Sequence, residues 1–155
     1  MRTSVNPTEF SFLKTKWMAG SLRFASIRST NTSSKAFRCD VANSDKSYSF
    51  CIEGSSQKLY IFESPIDLMS YLTFCRLCIT SEFKDHMVSL GGLSDKALER
   101  YLKDYPSITQ ITLCLDNDEA GRFASEQIKN KYHLNYEISR HIPKAKDWNE
   151  DLINY

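Results

Sequence analysis

The stretch Ile111-Thr-Leu-Cys-Leu115-Asp116-Asn-Asp118-Glu-Ala-Gly121 decides the fold of this chain. Five mostly apolar residues without polar alternation read as a strand buried on both faces, the pattern of a parallel sheet covered by helices. The run stops on an acid, and Glu119 to Tyr132 then follows a helical rhythm, with Ala120, Phe123, Ala124 and Ile128 on one face. Working outward, the same short apolar runs recur at Leu59 to Phe62, Met87 to Leu90 and Leu134 to Ile138, and helical patterns at Pro65 to Ile79 and Asp95 to Asp104 lie between them. Strands alternating with helices imply right-handed crossovers and a parallel sheet, so the fold class is α/β.

Upstream the pattern is different. Phe10 to Trp17 and Leu22 to Arg28 flank Ala19-Gly20-Ser21 and read as an antiparallel hairpin. A polar loop over 29–35 precedes short candidate strands at Ala36 to Val41 and Tyr48 to Ile52. Gly54-Ser-Ser-Gln57 divides the sequence into a β-rich antiparallel segment, 1–57, and an α/β unit, 58–155.

The chain has 155 residues, 41% hydrophobic and 25% charged, with five Gly and four Pro. That size can bury a core without disulfides, and the composition excludes disorder, collagen-like repeats and coiled coil. No apolar run reaches the roughly 18 residues of a membrane span, and Arg2 to Ser11 is too polar for a signal peptide, so a cytoplasmic protein without a membrane partner is expected. Five cysteines are an odd number, which argues for reduced thiols. Cys75-Arg-Leu-Cys78 lacks the second close pair of a zinc ribbon and reads as thiols of a helix core. The net charge of +1 hides an asymmetry: residues 1–40 carry seven Lys and Arg against two acids, and the rest carries thirteen against seventeen. A basic strip joined to an acidic unit suits a polyanion partner and a cation-binding centre, or consists simply of solvated faces.

Glu63 directly follows the run Leu59 to Phe62, and Asp116 and Asp118 follow Ile111 to Leu115. In a parallel sheet the carboxyl ends of the strands share one edge, where open α/β domains place their sites. Three converging carboxylates need protons or a hard cation, and Mg²⁺ suits carboxylate and phosphate oxygens. Several of these residues also have a local use. Ser64-Pro-Ile-Asp67 resembles a capping box, Asp118 can cap the helix that begins at Glu119, and Asp147-Trp-Asn-Glu150 reads as a box for a short terminal helix. Gly91-Gly92 can let backbone amides approach a phosphate or can make a tight turn capped by Ser94; Gly121 permits close packing in its helix; Lys146 can neutralise a phosphate.

Taken together, Glu63-x-x-x-Asp67, Leu90-Gly91-Gly92, Asp116-Asn-Asp118-Glu-Ala-Gly121 and Lys146-Asp147 resemble the Toprim domain shared by DnaG-type primases, topoisomerases, and OLD-type and RecR-like repair proteins. Phe62-Glu-Ser-Pro-Ile-Asp67 and Lys146-Asp147-Trp148-Asn149 look most like the primase-like Toprim proteins of plasmids and conjugative elements. The resemblance runs from about Lys58 to Leu152 and implies a small parallel sheet flanked by helices. It implies Glu63, Asp67 and Lys146 as catalytic residues, Glu63, Asp116, Asp118 and Asp147 around Mg²⁺ or Mn²⁺, and Gly91, Gly92 and Gly121 as points of phosphate approach. Ser26-Ile-Arg28-Ser-Thr-Asn31 and Ser44-Asp-Lys46-Ser-Tyr48-Ser-Phe50 look like the β-rich segment that precedes Toprim in primase cores, which implies nucleic-acid binding by Arg23, Arg28, Lys35, Arg38 and Lys46. The expected activity is primase-like nucleotidyl transfer in DNA replication of a mobile element. Its partners would be single-stranded DNA or RNA and nucleoside triphosphates. The primase zinc-binding region and helicase-binding tail have no counterpart, so a fragment of a larger enzyme is expected, reaching a replicative helicase through the missing domains. A Toprim nuclease, and a binding or assembly module without catalysis, are the competing readings. A tyrosine-dependent topoisomerase ranks below them, and a flavodoxin-like or response-regulator domain would not explain Glu63 together with Lys146-Asp147.

Overall fold

The computed structural model describes residues 10–18, 21–29, 38–78 and 83–155, with side chains over 23–27, 39–78 and 83–155. The described strands form two sheets. The first is antiparallel, β1 (Phe10–Met18), β2 (Ser21–Ser29) and β3 (Arg38–Asp40), with Phe12 opposite Ile27 and Ile27 opposite Cys39. Ala19 and Gly20 of the expected hairpin turn lie outside the described residues. The second sheet has the order β4 (Cys51–Ile52), β6 (His86–Ser89), β5 (Lys58–Phe62), β7 (Gln110–Leu113), β8 (Glu137–Arg140). Its last four strands are parallel and β4 runs antiparallel to β6. The α/β class, the flanking helices and the preceding antiparallel sheet are those the sequence implies.

The parallel sheet is buried on both faces because its strands carry apolar residues at both parities. Leu59 and Ile61 of β5 join Val88, Ile111 and Leu113 beneath α2 (Lys96–Asp104) and α3 (Glu119–Tyr132). The alternate residue Phe62 joins Met87 and Cys114 against α1 (Pro65–Cys78) and α4 (Trp148–Ile153), where Leu68, Tyr71, Cys75 and Trp148 close the second core. Each fully buried Leu or Ile contributes about 1.5–3 kcal/mol, so the sheet is the rigid part of the molecule. From β5 the chain crosses through α1 to β6 on one side and through α2 back to β7 on the other. The order therefore reverses between β5 and β7, whose following helices lie on opposite faces. Such a reversal opens a crevice at the carboxyl ends of the two strands.

Several local expectations are corrected. The expected strand Leu134 to Ile138 is displaced to Glu137–Arg140 because α3 closes late: Asn135 N and Tyr136 N donate to Tyr132 O at 3.0 and 3.1 Å, and Leu134 is left 85% exposed. Of Tyr48 to Ile52 only Cys51–Ile52 is strand, since Asp45 caps a 3-10 turn over Lys46–Tyr48 through Ser47 N. Sheet membership thus begins upstream of Gly54. Phe123 is 66% exposed rather than buried; the inner face of α3 is Gly121, Ala124, Ser125, Ile128 and Tyr132. Asp95, not Ser94, stands at the start of α2, and its carboxylate accepts from Lys131 Nζ at 2.6 Å and Tyr132 Oη at 3.1 Å. Cys75 is buried in the α1 core, whereas Cys78 is exposed with Sγ 3.8 Å from Tyr155 Oη.

Candidate metal and phosphate site

The register aligns the carboxyl ends of the parallel strands: Phe62 lies opposite Ser89, Ile61 opposite Leu113, and Leu113 opposite Arg140. Glu63 leaves β5 and Asp116 follows β7, so the two stand at the point where the strand order reverses. Further backbone bonds extend the alignment, with Cys114 N donating to Ile61 O at 2.8 Å and Leu90 N to Phe62 O at 2.8 Å.

Asp116 is the focus of the edge. It is only 9% exposed, and Oδ1 is buried with no hydrogen-bond partner among the described residues. Its pKa is pushed up from 3.8 to about 7, first by burial and then by the negative charges of Glu63, Asp67, Asp147 and Asp118. Five carboxylates from distant parts of the chain are therefore close enough to act on one another.

Each neighbour is placed by a local device. Ser64 opens α1 with Pro65 at the first helical position; Asp67 N donates to Ser64 Oγ at 3.3 Å, and Ser64 Oγ donates back to Asp67 Oδ2 in a short bond. Asp118 caps α3, accepting from Gly121 N at 2.8 Å. Asp147 caps α4, accepting from Glu150 N at 2.8 Å, while Glu150 reaches back to Lys146 N at 3.3 Å. The caps and the shared edge coexist in the same residues. A carboxylate bonded through one oxygen keeps a second for another partner.

Lys146 is exposed, and its carbonyl accepts from Asn117 N at 2.8 Å, which ties the segment before α4 to the acid loop. Trp148 fixes that segment from below, donating Nε1–H to Cys114 O at 3.0 Å within the core. Gly91 and Gly92 have φ of 65° and 128°, a region that glycine enters without strain. Their amides are engaged internally: Gly91 N donates to Ser89 Oγ at 3.2 Å and Gly92 N to Glu63 O at 3.0 Å. What these residues leave open is space, for a Cβ on Gly92 would meet nothing within 4 Å. Gly121 allows close packing, since a Cβ there would run into the Asp116 carbonyl oxygen.

Of the basic candidates, Arg23 is exposed with its guanidinium 5.4 Å from the Tyr48 ring centroid, and Lys46 pairs with Asp40 at 3.2 Å. Lys35 and the side chains of Arg28 and Arg38 lie outside the described residues. The antiparallel sheet adjoins the edge at Gly91, where a Cβ would meet Ser49 Oγ at 3.2 Å and the Phe24 ring at 3.6 Å.

Sequence reasoning missed two cations. Arg100 of α2 stacks on Tyr48 at 4.0 Å, opposite no motif that would announce it. Arg140, last residue of β8, donates from Nη2 to the Asp116 carbonyl at 3.3 Å. Asp116 Oδ1 is an oxygen donor with an open partner position, and the surrounding donors are all carboxylates, which fits a hard divalent cation. Among the described residues no three or more His, Cys, Asp and Glu side chains stand close enough together to hold a metal ion as they are placed. No helix among them is long and apolar enough to cross a membrane.

Residues 60–152 match the model of a family described as Toprim-like. An uncharacterized Bacillus anthracis protein, pXO2-78, is 28% identical over 145 residues, covering 81% of this chain and 40% of its own length. The chain thus spans about two fifths of that relative. In fold it is similar to the primase fragment of the bacteriophage T7 primase-helicase protein, with a TM-score of 0.68, 17% identity, and coverage of 94% of this chain and 58% of the other. A second similarity, at TM-score 0.65 and 17% identity, is to a bacteriophage T7 assembly of lagging-strand DNA polymerase with primase domains bound to an RNA/DNA hybrid and dTTP; it covers 94% of this chain and 71% of that one.

Proposed function

Because the chain belongs to the Toprim-like family, we propose that it carries out divalent-metal-dependent nucleotidyl transfer on nucleic acid, in the manner of a primase, and serves replication of a mobile element such as a plasmid. One observation carries this reading: four carboxylates act on a fifth, Asp116, whose buried Oδ1 has no partner at the crevice between β5 and β7. A scaffold without chemistry gains nothing from such repulsion. In this reading 58–155 is the chemical unit and 1–57 the segment along which a single strand of DNA or RNA runs.

Asp116 and Asp118 would hold Mg²⁺ or Mn²⁺, with Glu63 and Asp147 completing the acidic wall. Bound there, the ion would polarise the phosphate oxygens of a nucleoside triphosphate and offset the charge that develops on them. The protein's own part is to orient and to move a proton. Glu63, at the end of β5, would accept the proton of an attacking hydroxyl. Asp67, locked to Ser64, keeps a second buried carboxyl near Asp116. Lys146 extends an exposed ammonium beside the acid loop, where it can meet a substrate phosphate. The open volume above Gly92 admits such a group without a side-chain clash. Arg23 and Lys46, on the neighbouring antiparallel sheet and the turn that follows it, would meet the phosphates of a strand.

The test is primer synthesis from labelled nucleoside triphosphates on single-stranded DNA with Mg²⁺ or Mn²⁺, with Asp116→Asn as control. Oligonucleotides made by the wild-type chain and absent with Asp116→Asn support the proposal. Strand cleavage without synthesis would assign the same acids to a nuclease, and ion-independent strand binding without either reaction would make the chain a binding module.

A further inference from the structure

We propose that Arg140 is the positioning residue of this site: it holds Asp116 by the main-chain carbonyl, so that the carboxylate is fixed in place yet left free for a divalent cation. The proposal rests on the cation-site reading above. It starts from a choice visible in the geometry. A guanidinium within reach of an acidic cluster ordinarily forms a bidentate ion pair with a carboxylate. Arg140 instead donates from Nη2 to Asp116 O at 3.3 Å and forms no ion pair among the described residues. Its Nε is buried without a hydrogen-bond partner, beside a residue whose Oδ1 is also buried without one. Burying an unpaired donor of a charged group is unfavourable, so stability alone does not account for an arginine here.

The same carbonyl is closely approached by the first turn of α3. A Cβ on Gly121 would run into Asp116 O, and Gly121 N donates to Asp118 Oδ1 at 2.8 Å. The Asp116 peptide therefore sits between the end of β8 and the first turn of α3. Asn117 N, bonded to Lys146 O at 2.8 Å, closes the loop behind it. A peptide bonded at both Asp116 O and Asn117 N leaves the carboxylate mainly side-chain rotation, which favours cation binding by lowering the ordering required when the ion arrives.

Arg140→Met separates this role from simple electrostatics by the sign of its effect. Removal of a positive charge near a cation site should by itself tighten cation binding. Loss of positioning should weaken it, by about tenfold, in the range of outer-shell substitutions at metal sites. Mn²⁺ binding to wild type, Arg140→Met and Arg140→Lys is measured by calorimetry, alongside hydrogen exchange at Asn117 and Gly121 with Cys114 as the core reference. The expected result is weaker Mn²⁺ binding by Arg140→Met with faster exchange at Asn117 and Gly121, unchanged exchange at Cys114, and partial recovery of both by Arg140→Lys. Equal or tighter binding by Arg140→Met overturns the proposal, as does weakened binding with unaltered exchange. Should Arg140→Met fail to fold, affinity and exchange still have to move together in Arg140→Lys, and a change in one alone overturns the proposal. If wild type binds no Mn²⁺, the cation-site reading fails, while exchange still decides whether Arg140 holds the Asp116 peptide.

Discussion

Asp116→Asn should make the metal-free protein more stable at alkaline pH while removing cation binding. The magnitude follows from the displacement of the Asp116 carboxyl from 3.8 to about 7, caused by burial and four like charges. At about 1.36 kcal/mol for each power of ten in the proton equilibrium, the ionised form is disfavoured by at most about 4 kcal/mol in the folded state. The sign is set by proton counts. Below pH 3.8 both states hold the proton and the contribution to stability is complete. Between 3.8 and about 7 the folded state keeps a proton that the unfolded state has released, so stability falls as pH rises. Above about 7 both are ionised and the loss is complete. Between about pH 5 and about pH 8.5, wild type should lose about 1–3 kcal/mol from this group once solvent access at the open edge is allowed for, and Asp116→Asn should lose none of it. Urea unfolding of both proteins at the two pH values, with chelator present, measures the difference. An Asp116→Asn protein no more stabilised relative to wild type at the higher pH than at the lower would refute the reasoning.

Other substitutions probe separate parts of the account. Glu63→Gln keeps size but not charge or basicity; it should stop nucleotidyl transfer while leaving the metal-free protein folded and, at alkaline pH, more stable because a like charge beside Asp116 is gone, and retained turnover would remove Glu63 from the chemistry. Gly121→Ala places a methyl against Asp116 O and should destabilise the protein by about 1–3 kcal/mol, the usual result of overpacking, with a parallel loss of Mn²⁺ affinity; a neutral effect would contradict the close approach. Binding of a single-stranded oligonucleotide should weaken with salt by about 0.7 in the log-log slope for each phosphate contacted. Combined Arg23→Ala and Lys46→Ala substitution should flatten that slope, and an unchanged slope would move the strand's path elsewhere.

The buried strands were legible because β5, β6 and β7 carry apolar residues at both parities, a pattern few other elements show. The acids Glu63 and Asp116 were legible because a strand must end somewhere, and a carboxylate at that end has no helix to cap. Asp118 and Asp147 could be read two ways, and the structure shows that the cap and the shared edge are compatible. Arg140 was invisible for a physical reason: its partner is a backbone carbonyl in the loop after β7, and a backbone acceptor leaves no trace in side-chain spacing. The displacement of β8 had a similar origin. Leu134 is apolar and suggested a strand, but the closing turns of α3 use the amides of Asn135 and Tyr136 and leave Leu134 in solvent. Phe123 shows that an apolar residue beside a helix's inner stripe need not be covered.

If the acids gathered around Asp116 hold a divalent cation, binding of Mg²⁺ must release protons. A carboxyl with a pKa of about 7 is half protonated at neutral pH, so calorimetric titration in buffers of different ionisation enthalpy should show about half a proton released per ion. Release should approach one proton near pH 6 and vanish above about pH 8.5, and Asp116→Asn should abolish both the release and the binding. Mg²⁺ binding with no proton release across this range, or with release that survives Asp116→Asn, would contradict the account.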